Sequence, residues 1–194
     1  MAKVPYPDIA SLEPRVQMMV AVAAPLNLIK VMAHAQGNVE SVLRLSDAVL
    51  NRGVLNPVLR QVALIRLCVV MGSDYERTLL ESVSVGEGMS QSLIEAAREG
   101  SASAKLDEMQ RAAARLAEEL NQSVRPSSET YDYLAARLSV RELIELVQAI
   151  GFYLMQARVI ETFGVELEQP PVDLARRMEN ADTEGLQAWR NGTR

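Results

Sequence analysis

The chain has 194 residues, a net charge of −5 and a pI near 5.1; 48% of its residues are apolar but only 4% are aromatic. That length suits one domain with a sizeable core, and a core of Leu, Val, Ile, Ala and Met with only 10 glycines favours helices over sheets. The acidic balance excludes nucleic acid as a partner, because phosphate binding needs a basic face. One cysteine, Cys68, excludes an internal disulfide and fits a reducing compartment. No apolar run is read as reaching the roughly 18 residues of a membrane span, and residues 1–7 lack the basic-then-apolar pattern of a signal peptide. The expectation is a cytoplasmic, all-α, single-domain protein with no membrane partner, in which the sequons at Asn121 and Asn191 carry no weight.

Val4-Pro5-Tyr6-Pro7 reads as an extended N-terminal arm, since each proline pushes its predecessor out of the helical region. Helices are expected over about Ile9 to Ala23, Leu28 to Ala35 and Val39 to Leu50. Asn56 and Pro57 mark a sharper start, with Asn56 as cap and Pro57 at the first helical position, where a missing N–H is harmless. Val58, Val62, Ile65 and Val69 then recur with helical spacing as a core-facing stripe. Gly72 and Ser73 interrupt this helix, a second runs to about Val85, and Gly86-Glu87-Gly88 precedes a short one capped by Ser90.

Residues 99–104, small and polar, read as the most flexible loop. Asp107-x-x-Gln110 and Ser139-x-x-Glu142 read as capping boxes, and Pro126-Ser127 starts a helix between them. Leu143 through Ile160 has apolar residues on nearly all sides and is expected to be the most buried helix of the chain. Arg158 lies within it, so a buried ion pair with Glu142 or Glu145 is expected, the alternative being a clamp for a substrate carboxylate. A C-terminal arm, about 169–194, contains a short helix near Val172 to Asn180 and the sole Trp189.

Several segments, in this order, resemble the carboxymuconolactone decarboxylase and alkylhydroperoxidase-D-like proteins. They are Asn27 to His34, Leu59 to Arg66, Tyr75-Glu76, Leu143 to Val147, Gly151 to Arg158 and Gly164 to Glu168. The resemblance implies an all-α helical bundle built on a helical hairpin and assembled as a homo-oligomer, trimer or hexamer, with pockets near subunit contacts. It also implies where chemistry would sit. Gln61 stands where the peroxidase branch has its proton-relay Glu, Ser73 and Glu76 stand at the two Cys positions, and Leu80 stands at the His. An amide cannot exchange protons near neutral pH, and a disulfide cycle needs two thiols. The resemblance therefore points away from the thiol peroxidases.

It points instead to the decarboxylase-like branch of aromatic-compound catabolism: a cofactor-independent lyase or isomerase acting on a small oxygenated, carboxylated metabolite. Such chemistry needs enolate stabilisation and a proton donor. The candidate catalytic residues are Glu76, as acid/base if burial raises its pKa, and Tyr75. Candidate substrate-binding residues are Gln61, Ser73, Arg77, Arg158 and His34. Each has a plainer reading. Ser73-x-x-Glu76 is itself a capping box, Tyr75 and Gln61 suit packed and satisfied groups, His34 suits a helix end, and Cys68, followed by Val69-Val70-Met71, suits an inert buried thiol. A lone His builds no metal site. The alternative function is a degenerate member of the family that binds a ligand or serves as an oligomeric scaffold.

Overall fold

The computed structural model describes residues 2–22 and 26–169. Among them there is no strand, and the helices are α1 (Pro14–Val22), α2 (Asn27–Met32), α3 (Gln36–Asn51), α4 (Pro57–Met71), α5 (Asp74–Gly86), α6 (Gln91–Glu99), α7 (Glu108–Gln122), α8 (Ser128–Ala135) and α9 (Val140–Phe163). The chain divides into two compact units, 1–48 with 159–194, and 49–158. Trp189 and the expected helix after Pro171 lie outside the described residues.

In the first unit, Leu12, Val16, Met19, Val20, Ile29, Ala33, Val39 and Leu43 form one apolar cluster. Pro14 splits the helix expected from Ile9, leaving a 3₁₀ turn at Ile9–Ser11 before α1. The arm before it is extended, and His34 fastens it: its Nε2 lies 2.8 Å from the Pro5 carbonyl.

The second unit is organised around α4, which packs against α5, α6 and α7. Asn56 accepts from the Leu59 amide at 3.1 Å, with Pro57 leading the helix as expected. Every residue from Leu59 to Ile65 is buried, and so are Leu67 and Cys68, so the apolar stripe read from the sequence is in fact a helix enclosed on all sides. Both capping boxes exist: Asp107 with Gln110, and Ser139 with Glu142.

Two expectations are corrected here. Residues 99–104 are anchored. Gly100 is buried with φ +79°, the Ser101 hydroxyl donates to Glu118 at 2.6 Å, and Ser103 is 2% exposed. Low sequence complexity hid contacts that the rest of the fold supplies. The helix α9 is not the most buried. Leu146, Ala149 and Ile150 are fully enclosed, but Val140, Ile144, Val147 and Met155 are 77, 51, 42 and 40% exposed. Contrary to the sequence expectation, α9 is long and apolar enough to cross a membrane, and one of its faces belongs to the core of this unit.

Candidate functional site at the hairpin of α4 and α5

The chain turns between α4 and α5 at Gly72, in the left-handed region at φ 72°, where a Cβ would be strained. The Ser73 amide donates to the Cys68 carbonyl at 3.0 Å, closing α4. Ser73 occupies the N-cap of α5, but its hydroxyl makes no capping bond and is buried without a hydrogen-bond partner among the described residues. The capping box expected of Ser73 and Glu76 is therefore absent, because the amide that Glu76 would accept from already serves the end of α4. Tyr75 and Glu76, 4 and 3% exposed, instead turn inward from the first turn of α5. Cys68 lies 1% exposed on α4; burial above all, and then the Glu76 charge, pushes its thiol far up, which makes it inert at neutral pH.

The helix α5 runs back along α4, and past its last turn Glu87 reaches the beginning of α4. One carboxylate oxygen of Glu87 accepts from Gln61 Nε2 at 2.9 Å, and the other from Arg60 Nη2 at 3.2 Å. Gln61 is fully buried and the Arg60 side chain is 5% exposed, while the Glu87 side chain is 28% exposed. Gln61 and Cys68 are two helical turns apart, about 10 Å along the axis at the usual rise. The residues singled out in the sequence thus fall at two ends of one hairpin, with Ser73, Tyr75 and Glu76 at the turn and Gln61 at the open end.

Tyr153 of α9 is partly buried against the core of this unit. Burial raises the pKa of its hydroxyl most; Glu76, the Cys68 thiol and Glu87 push it further in the same direction, and Arg60 opposes them. The hydroxyl consequently stays protonated at neutral pH and can donate. Sequence reasoning missed Tyr153, Arg60 and Glu87 as site residues. The available signals were a tyrosine in an otherwise aliphatic helix, a charge beside Gln61 at the start of an apolar run, and an acid between two glycines.

The remaining candidates lie elsewhere. Arg77 is held on the outer side of α5 by Asp74, at 2.7 Å, and by Glu81, at 3.3 Å; the Asp74 hydrogen bond is the main reason its pKa is raised. Arg158 is exposed and donates to the Leu154 carbonyl of its own helix. The expected buried ion pair is absent: Glu142 accepts from Ser139, and Glu145 accepts from the Val54 and Leu55 amides and from Arg141. His34, exposed, belongs to the first unit. Leu80, at the position where the resemblance puts a His, is 3% exposed and part of the core. Among the described residues no group of three or more His, Cys, Asp or Glu side chains could hold a metal.

No family model matches the chain, and no curated protein matches its sequence. Among solved structures it is similar to the crystal structure of an alkylhydroperoxidase AhpD core, an uncharacterized peroxidase-related protein from Ralstonia eutropha JMP134. The two superpose with a TM-score of 0.76 over 91% of this chain and 95% of that one, at 14% identity. The fold is that of an AhpD core. At this identity the likeness concerns architecture, and the reactive residues have to be judged from this chain's own side chains.

Proposed function

We propose that the protein is a cofactor-independent enzyme acting on a small oxygenated, carboxylated metabolite by proton transfer, of lyase or isomerase type. The observation that carries this reading is Glu76, a carboxylate 3% exposed in the first turn of α5. Removing a carboxylate from water is costly, and a buried group of this kind is a candidate acid or base. The Glu76 charge acts on both Cys68 and Tyr153, which supports reading Glu76 and Tyr153 as partners in proton transfer. In this reading Glu76 moves the proton, and Tyr153 and Tyr75 donate to developing negative charge. With Gln61 and Ser73 in place of a relay acid and a thiol, nothing here supports disulfide chemistry.

The test is CO₂ release from a panel of β-keto acids and carboxylated lactones, comparing wild type with Glu76→Gln. The expected outcome is turnover by the wild type and a loss of at least about 100-fold in the variant, with the fold retained. Equal rates in both proteins would remove Glu76 from the mechanism.

A specific observation favours the second reading, an oligomeric scaffold that has lost the chemistry of its fold. Leu80 fills the His position with core packing, and Gln61 is already committed to Glu87. In both readings the protein assembles with copies of itself, a proposal supported by the exposed apolar face of α9.

A further inference from the structure

Arg60 is buried, yet its guanidinium is only partly used. Nη2 donates to Glu87 at 3.2 Å, a long bond for an ion pair, while Nε is buried and has no hydrogen-bond partner among the described residues. Gln61 is in a similar position. A carboxylate can only accept, so the 2.9 Å contact with Glu87 must be made by Nε2, and that leaves Oε1 buried without a hydrogen-bond partner among the described residues. Glu87 therefore touches one N–H of each residue and leaves an unmet donor on Arg60 and an unmet acceptor on Gln61.

Glu87 is also the loosest member of the set. It follows α5 as its C-cap residue, and Gly88, at φ +86°, comes directly after it with open space where a Cβ would stand. A side chain so placed can swing out to solvent without disturbing α4. Arg60 and Gln61, buried near the start of α4, cannot.

We propose that Arg60 and Gln61 form a carboxylate-binding site in which the Glu87 carboxylate occupies the place of a ligand carboxylate. A planar carboxylate on the Arg60 fork would take Nε and Nη2 together, the bidentate pairing that Glu87 does not make. Gln61 Oε1 would accept from a hydroxyl on the same ligand, which makes the ligand class a small hydroxy acid. The inference rests on the reading of this hairpin as a small-molecule site, and it moves the carboxylate clamp from Arg158, which is exposed, to Arg60.

The experiment needs no turnover, so its failure is separable from failure of the Glu76 assay. The Arg60 Nε–H signal is followed by nuclear magnetic resonance in nitrogen-labelled protein during titration with benzoate, with uncharged benzamide as control. Glu87→Gln removes the competing charge, and benzoate should then bind about tenfold more tightly than to wild type while shifting the Arg60 signal. Arg60→Lys keeps a charge but loses the fork, and its benzoate affinity, measured by calorimetry, should fall at least about tenfold below that of wild type. Glu87→Asp, drawn back by one methylene, gives a smaller gain of the same sign if the Gln variant fails to fold. The proposal is overturned if benzoate leaves the Arg60 signal unmoved in wild type and Glu87 variants, if benzamide moves it equally, or if the variants bind benzoate no more tightly.

Discussion

Arg60 and Arg66 stand on the same helix, and the second unit treats them in opposite ways. Arg66 is held from two sides: Nε donates to Glu118 at 2.5 Å and Nη1 to the Arg98 carbonyl at 2.7 Å, while Glu118 also accepts from the Ser101 amide and hydroxyl. Gly100 completes that region, since a Cβ there would stand 2.2 Å from Arg66 Nε and 2.5 Å from a Glu118 oxygen. Arg60 has one long bond and an unmet Nε. A guanidinium kept for architecture is surrounded until its donors are used. One that keeps a buried donor in reserve beside a partly exposed acid is better suited to a ligand.

The comparison can be broken most severely at Gly100. Gly100→Ala should cost about 3 kcal/mol in denaturant unfolding, because it combines a left-handed backbone with a clash against both members of the ion pair. A cost under about 1 kcal/mol would mean that the Arg66 network is soft. Next is Glu118→Gln, which should cost about 2 kcal/mol by leaving Arg66 half-buried without its counter-charge.

The same acid gives a pH test. Burial works to raise the Glu118 pKa, but the Ser101 hydroxyl and amide and the Arg66 guanidinium outweigh it and hold it below the ordinary 4.5. A depressed carboxylate contributes its stability in full above the unfolded value, and that contribution is lost as pH falls from about 4.5 through the folded value. Wild-type stability should therefore decline more steeply than that of Glu118→Gln as pH is lowered past 4.5. Parallel curves would contradict the pairing.

The smallest expected effect is at the turn. Ser73→Ala removes a buried hydroxyl with no hydrogen-bond partner and should change stability by less than about 0.5 kcal/mol, whereas Ser90→Ala, which removes a formed cap to the Leu93 amide, should cost about 1 kcal/mol. Equal losses would restore the capping role of Ser73.

Much of this was legible in the sequence. Asn56-Pro57, Asp107-x-x-Gln110 and Ser139-x-x-Glu142 announce helix starts through bonds made within a few residues, and such bonds form wherever the local pattern occurs. The sequence misled where the deciding partner is distant. Ser73-x-x-Glu76 has the spacing of a capping box, but the Cys68 carbonyl takes the amide it needs. Leu143 to Ile160 is apolar all round, yet periodicity cannot say that only one face of α9 meets the rest of its unit. Arg60 looks like any charge at a helix start until Glu87 arrives from the far end of α5. Glu76 and Gln61 were read as one site because the resemblance grouped them; helix geometry sets them at opposite ends of the hairpin.

The tight turn at Gly72 and Ser73 has a consequence for the order of assembly. The Gln61–Glu87 contact spans 26 residues of chain and the Arg66–Glu118 contact spans 52. That doubling adds about 0.6 kcal/mol of loop-closure entropy, before counting the preformed turn that shortens the nearer search further. Contacts between neighbours in sequence also form fastest. Loop closure therefore costs less for the acid that Arg60 meets than for the one that Arg66 draws from α7, and the contact proposed to yield to a ligand is the one with the shorter span.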